Sequence, residues 1–240
     1  LVCAIGFAPS GLNGNQTALG NHINAIRLAG SSPTFAPITA ELFYVPTVTD
    51  LANIYDSFSP QTYGAQQAAQ IFAGQQFADS MFSCQRPGAG VRFSESGCVW
   101  VKPAARRLEL SATSSAMAFD EQSTGLSGGF EAGLGGSGWR IGGAVSGEVV
   151  DGGVRSRTSA DGERFQFGFV AKRDPTAGVG FGLALHGGRS EMDTTRLILL
   201  PSGPRRAEAT QAMTFMAATA RASYRWGTDQ GYLKPMLEVS

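Results

Sequence analysis

The chain has 240 residues, enough for one or two domains with a sizeable core. Its 19 basic and 19 acidic side chains cancel, which argues against a nucleic-acid partner because nucleic-acid binders carry a basic excess. No run of about 18 apolar residues predicts a transmembrane helix. A membrane β-barrel stays open as a class, because its strands are short alternating segments with a weaker signal.

Residues 12–85 carry apolar side chains at helical spacing and predict helices joined by linkers. The last of these helices is predicted over residues 60–83, with Ser59 as its N-cap and Pro60 at its first position. At 1.5 Å per residue it would be about 36 Å long. Glutamine, alanine and glycine cover most of its surface, so it favours a polar, close-fitting surrounding over an apolar core.

Two cysteines flank the end of this helix. Cys84 and Cys98 could close a short disulfide loop, which would stabilise the fold by about 3 kcal/mol and indicate an oxidising compartment. Two unrelated thiols are the alternative. A zinc site is disfavoured because it needs two further ligands and the chain has only two histidines. We therefore expect neither a metal nor a cofactor.

After residue 97 the hydrophobic period changes to two, and the pattern predicts seven strands. Their expected spans are 97–110, 124–134, 138–149, 162–172, 178–189, 210–226 and 231–240. One face is apolar and carries Phe130, Ile141, Val145, Phe167, Phe181, Leu183 and Met216. The opposite face carries Glu131, Arg140, Glu148, Arg164, Gln166, Lys172, His186, Arg221 and Arg225. Alternation alone does not separate a soluble sandwich from a membrane barrel.

The polar face of the fifth predicted strand is unusually bare. In the stretch GVGFGLALHGG, the positions facing away from the apolar side are occupied by Gly178, Gly180, Gly182 and Ala184. A strand that shows glycine rather than long polar side chains leaves space beside it. We expect the predicted helix to occupy that space.

The predicted connections alternate strictly in length. Those expected to be long span 111–123, 150–161 and 190–209, and those expected to be short span 135–137, 173–177 and 227–230. Up-and-down outer-membrane barrels show this alternation, with short turns in the periplasm and long loops outside the cell. The apolar face then meets lipid and the polar face lines the lumen, where cross-strand ion pairs among Glu131, Arg140, Glu148 and Arg164 are expected.

Three short motifs that resemble catalytic signatures do not support an enzyme. GLSGG around Ser127 matches a nucleophile motif, but it lies in an alternating strand and not at a strand-to-helix turn. GLGGSG precedes a strand and not a helix, so it predicts a glycine-rich turn. HGG at His186 has no accompanying triad.

The sequence resembles the C-terminal translocator of autotransporters, the proteins of type V secretion. The resemblance rests on the segment LANIYDSFSPQTYGAQQAAQIFAGQQFADSMFSC, on CVWVKP, and on STGLSGGFEAGLGGSGWRIGGAVSG. It implies an antiparallel up-and-down β-barrel of twelve strands, of which about seven are expected here, and a chain cut at both ends. It also implies insertion by the barrel-assembly machinery.

The sequence therefore predicts three regions: a partly helical, passenger-proximal linker (1–58), a pore helix with its connector (59–90), and the first strands of a barrel (91–240). The predicted function is secretion of an N-terminal passenger to the cell surface by an outer-membrane anchor. Two alternatives are another outer-membrane barrel, porin or esterase-type, and a soluble all-β binding domain.

Overall fold

The structure is a computed structural model of the 240-residue chain. The structure describes residues 6–30, 32–84, 91–93, 97–173, 178–228 and 231–240. Within these residues, four α-helices are followed by nine strands in one sheet. The predicted connector 85–90 lies outside the described residues, as do most of the predicted short turn 173–177 and the end of the turn 227–230.

The four helices are α1 (Gly14–Leu28), α2 (Ala36–Leu42), α3 (Val48–Phe58) and α4 (Gln61–Phe82). The sequence did not predict α2, because its seven residues are too few for a helical period to show. The long helix begins one residue later than predicted, although the Ser59 hydroxyl accepts a hydrogen bond from the amide of Gln61 at 3.3 Å, as an N-cap side chain does. Ser59 ends α3 and Pro60 takes the cap position of α4, because the two helices follow each other directly.

The strands have the following bounds: β1 Val91–Phe93, β2 Gly97–Leu110, β3 Phe119–Gly133, β4 Trp139–Val154, β5 Thr158–Arg173, β6 Gly178–Ile198, β7 Arg205–Thr228, β8 Gly231–Leu233 and β9 Met236–Val239. Every neighbouring pair is antiparallel, and β1 to β8 lie in chain order with β9 also pairing with β7. This is the up-and-down antiparallel sheet that the sequence predicted. Among the described residues the two edges of the sheet do not pair with each other.

Several strands extend beyond their predicted ends on one side of the sheet. β6 continues to Ile198, and β4 and β5 meet at a connection of only residues 155–157. The prediction of long loops at 150–161 and 190–209 is therefore wrong. Beyond the outward apolar side chains, the outward face of these strands is mostly charged and the inward face mixes polar side chains with Val150, Ala160 and Met192. The alternation used to predict the strands, with apolar side chains outward, therefore ends there.

The last predicted strand, 231–240, is divided into β8 and β9. Pro235 stands between them, and its backbone nitrogen cannot donate to a β-ladder. Its carbonyl accepts a hydrogen bond from the amide of Tyr224 at 3.2 Å. The interruption is thus a local consequence of one proline.

Helices α1 to α3 pack together around a small apolar cluster that includes Phe7, Ile23 and Ile54. The hydroxyl of Tyr55 donates to the Phe7 carbonyl at 2.6 Å inside this cluster, and burial raises the pKa of Tyr55 to about 12. Leu199, from the connection between β6 and β7, packs against the same cluster. We call α1 to α3 with this cluster the helical cap.

Polar contacts fasten the helical cap to the tips of the strands. The amide of Leu199 donates to Ser57 Oγ at 3.0 Å. The carboxylate of Glu41 accepts from Ser202 Oγ at 2.5 Å and from Arg205 at 2.7 Å. The Ser202 hydroxyl, and then its backbone amide and the Arg205 guanidinium, lower the pKa of the Glu41 carboxyl below its ordinary value. The cap therefore lies over one end of the sheet.

Candidate functional site

The concave side of the sheet holds α4, which lies against β3 to β7. The 22 residues of this helix span about 33 Å. The side chains of α4 that face the strands are small or amide-bearing along most of the helix. Among them, Ala69, Gln66 and Gln70 are almost fully buried. The sequence composition of the helix thus matches a close-fitting polar interior.

The polar residues predicted on one face of the strands all lie on this concave side. Buried or nearly buried are Glu131, Glu148, Arg164, Gln166, Lys172, His186 and Arg221, whereas Arg140 and Arg225 are partly exposed. The apolar set lies on the convex side, where Phe130, Ile141, Val145, Phe167, Phe181, Leu183 and Met216 are all exposed. The two faces therefore differ as strongly in burial as they do in sequence.

Arg164 is the centre of the interior charge network. Its guanidinium contacts Glu121 at 2.9 Å, Glu148 at 3.1 Å and the side chain of Gln70 at 2.8 Å. The side chain of Arg164 is only 1% exposed. It therefore links three elements, because Glu121 lies on β3, Glu148 on β4 and Gln70 on α4.

Arg106 on β2 enlarges this network. It contacts Glu121 at 2.7 Å and donates to the backbone carbonyl of Ala69 at 2.5 Å. Neither Arg106 nor Glu121 is among the interior residues predicted from the sequence. Arg106 lies at the same alternate spacing as Lys102 and could have been found, whereas Glu121 precedes the predicted start of its strand.

A second ionic group lies nearer the C-terminal end of α4. Glu131 contacts Lys172 at 2.6 Å and Arg140 at 3.4 Å. Lys172 also donates to the carbonyl of Phe82 at 3.1 Å, at the last residue of the helix. The four residues expected to form one ion-pair set are thus divided between two groups, Glu131 with Arg140 and Glu148 with Arg164.

Apolar packing fixes the C-terminal end of α4. Phe77, Met81 and Phe82 form one buried cluster with Trp100 and Val170. Glycines on the strands allow Phe82 and Met81 to lie directly against the strand backbone. A Cβ at Gly182 would lie 2.7 Å from the ring of Phe82, and one at Gly168 would lie 2.8 Å from Met81 Sδ.

A disulfide joins Cys84 to Cys98, two residues past α4 and at the second residue of β2. It connects the end of the helix directly to the wall. Lys102, on the same strand, donates to Ser83 Oγ at 3.2 Å. The helix end is therefore fixed by covalent, polar and apolar contacts together.

His186 is the interior histidine. Its ring packs against Phe77 and Phe215 at centroid distances of 6.3 and 5.8 Å. Ser127, from the nucleophile-like motif, points into the interior and lies 3.1 Å from the Ser146 hydroxyl. Ser127 and His186 therefore have different neighbours and do not form a nucleophile–base pair.

In the described part of the chain, no cluster of three or more histidine, cysteine and acidic side chains is suited to a metal ion. None of the described helices is both long and apolar enough to cross a bilayer.

An antiparallel sheet with apolar side chains outside and a polar interior defines the class of outer-membrane barrels. The family profile for the autotransporter beta-domain matches residues 99–240, and the chain belongs to that family. The β-domains of the family are not themselves enzymes.

Among solved structures, the chain is similar to the crystal structure of the beta domain of the Bordetella autotransporter BrkA. The two are 20% identical, with a TM-score of 0.43, and the match covers 60% of this chain and 57% of the other. The chain thus spans a little over half the length of that domain. No curated protein matches the chain.

Proposed function

We propose that the chain anchors in the outer membrane and secretes an N-terminal passenger to the cell surface, leaving α4 in the lumen. The observation that carries this proposal is the contrast between the two faces of one sheet. The convex face exposes Phe130 and Phe181 by more than half, whereas Glu131 and Arg164 on the concave face are 2% exposed. In water, burial would favour the reverse arrangement.

The proposal assigns the two ends of the sheet to two compartments. The helical cap and the tips of the long hairpins face the outside of the cell, and residues 1–58 are the passenger-proximal region. Cys84 and Cys98 then lie on the periplasmic side, where disulfides form. Residues 59–90 act as the pore helix with its connector, and residues 91–240 form the barrel wall.

The partners of the chain follow from this location. Outer-membrane lipid covers the convex face, and the barrel-assembly machinery inserts the sheet. The passenger is the transported substrate. We propose no catalytic reaction for the chain, because neither Ser127 nor His186 has a partner arrangement that would activate it, and no nucleic-acid partner, because its net charge is zero.

Two neighbouring residues on β6 test the assigned faces. Phe181→Arg places a charge on the convex face and should cost about 2–4 kcal/mol of membrane stability. Gly182→Arg enters the space of the Phe82 ring and should displace the end of α4 while insertion persists. Heat-modifiable gel mobility of membrane fractions measures insertion.

Phe181→Leu is the matched control, since it keeps the convex face apolar and should insert normally. Equal tolerance of arginine at both positions would contradict the assigned faces. A chain that stays folded and soluble without detergent would instead indicate a soluble all-β domain.

A further inference from the structure

The helical cap is held to the sheet strongly on one side. At the β6–β7 connection, Leu199 packs against the apolar cluster of the cap, and its amide donates to Ser57 Oγ at 3.0 Å. Ser57 is only 2% exposed, so this contact is shielded from water. Glu41 adds its bonds to Ser202 and Arg205 on the same side. We call this the hinge side of the cap.

The opposite side of the cap meets the β2–β3 connection through two exposed hydrogen bonds. Asn13 Nδ2 donates to the Ser114 carbonyl at 3.3 Å, and Asn15 Nδ2 donates to the Ser115 carbonyl at 2.7 Å. We call these two bonds the latch. Within the described residues, the apolar cluster of the cap takes no side chain from this connection. Because exposed hydrogen bonds compete with water, the latch is weaker than the hinge side.

A cleft of about 1120 Å³ lies between the cap and the sheet on the latch side. Ala18 and Leu19 of α1 line it on the cap, and Ala112 lines it on the β2–β3 connection. Gly64 and Ala68, in the first turns of α4, line it as well. The cap therefore stands apart from the sheet on this side, and the cleft reaches the start of α4.

The junction between the cap and α4 is short. Only Ser59 and Pro60 separate α3 from α4. Arg196 of β6 contacts both sides of the junction, because it donates to the Phe58 carbonyl at 3.1 Å and its guanidinium lies 5.1 Å from the centroid of the Tyr63 ring. A few residues between two rigid elements are the usual form of a hinge.

The start of α4 has its own contacts with the sheet. The side-chain amide of Gln61 donates to the Met117 carbonyl, and its oxygen accepts from the Met117 amide at 2.8 Å. The hydroxyl of Thr62 lies 2.9 Å from that of Thr158 on β5. The cap can therefore turn at the junction while α4 stays in place.

We propose that the helical cap is a lid over this end of the interior, which turns about Ser59, Pro60 and Arg196 and opens where the latch breaks. Opening widens the cleft and uncovers the start of α4. The outward position of the lid rests on the proposed function. The lid goes beyond secretion itself, because it makes access to the interior depend on two hydrogen bonds.

Two pairs of spin labels on exposed alanines test the lid. Ala18→Cys with Ala112→Cys spans the cleft, and Ala40→Cys with Ala209→Cys spans the hinge side. Cys3→Ser removes the one cysteine outside the disulfide. Double electron–electron resonance in detergent micelles then measures the distances within each pair.

Loss of the latch should lengthen the first pair alone. Asn13→Asp with Asn15→Asp removes both amide donors but keeps the side-chain oxygen with which Asn13 caps α1. We expect the ratio of long to short distances across the cleft to rise about tenfold, as for the loss of two weak hydrogen bonds, while the second pair stays unchanged. Asn53→Asp, at an exposed position of α3, is the matched control and should change neither pair.

Equal lengthening of both pairs would overturn the lid, because the cap would then detach as a whole. So would an unchanged first pair, because the latch would then not hold the cap closed. Either result leaves the secretion proposal standing, since the distances do not depend on the side of the membrane. A chain that shows the expected distances but does not insert into the outer membrane would overturn the secretion proposal and the outward position of the lid, and not its motion.

Discussion

The C-terminal half of α4 is held by apolar contacts, a disulfide and the ion pair of Asp79 with Arg221, whereas its N-terminal half is held mainly by hydrogen bonds to the buried ion-pair network of the strands. Phe77 and Met81 pack into the apolar cluster around Trp100. Gln70, by contrast, accepts a hydrogen bond from the buried Arg164. One helix therefore meets two different surroundings inside the same sheet.

The two ends of α4 contribute differently to its position inside the sheet. Apolar packing at one end stabilises the helix but tolerates small displacements. Buried ion pairs contribute less net stability but are costly to break, since removal of one partner leaves an uncompensated charge. We infer that the apolar end anchors α4 and the ionic middle sets its register against the strands.

The largest effect is expected from Arg164→Leu in the ionic half. It leaves Glu121 and Glu148 without this buried cation and should lower the free energy of unfolding by about 3–5 kcal/mol. Urea unfolding in detergent micelles measures the change. Arg189→Leu removes an arginine whose side chain is 64% exposed and should have almost no effect. Equal effects of the two substitutions would contradict the comparison.

Met81→Ala tests the apolar half in the same assay. Met81 is 1% exposed, and its truncation should cost about 2–5 kcal/mol because it leaves a cavity against Gly168. Ile71, on the same helix, is 59% exposed, so Ile71→Ala serves as the control. If Met81→Ala were as mild as Ile71→Ala, the apolar cluster would not anchor the helix.

The disulfide should contribute about 3 kcal/mol, as expected for a loop of this length. Cys84→Ser together with Cys98→Ser should lower the free energy of unfolding by that amount, and a reducing agent should reproduce the loss in the unsubstituted protein. A reducing agent that changed the double variant equally would show that the effect does not come from this bond.

The smallest effect concerns the exposed contact between Glu41 and the tip of the β6–β7 hairpin. Because the folded-state pKa of Glu41 lies below the ordinary 4.5, its contribution is fully present above pH 4.5 and is lost as the pH falls through the lowered value. Glu41→Gln should therefore lower the thermal midpoint slightly at pH 6. That difference should shrink toward pH 3, and a constant difference would contradict the assignment.

Most of the strand order could be predicted from the sequence, because alternation is strong wherever one face is apolar. The bounds of β2 agree with the predicted 97–110 for this reason. The extension of β6 to Ile198 could not be predicted. Along Ser190, Met192 and Thr194 the buried face is largely polar, like the face opposite it, so no period of two appears.

The interior face could be predicted as a face, but its pairings could not. Alternation assigns Glu131 and Arg164 to one side of the sheet without fixing which cation each carboxylate meets. That choice depends on the register between strands and on where α4 lies. Glu121 joins Arg164 across an intervening strand, a contact that no local pattern indicates.

The measurement that tests the central claim most directly is a cross-link between α4 and the wall. Thr62 on α4 and Thr158 on β5 have their hydroxyl oxygens 2.9 Å apart. In a Cys3→Ser background, Thr62→Cys with Thr158→Cys should form a disulfide under mild oxidation, whereas Ile71→Cys with Thr158→Cys should not. A folded chain in which the first pair fails to cross-link, or links no faster than the second, would contradict a helix enclosed by the sheet.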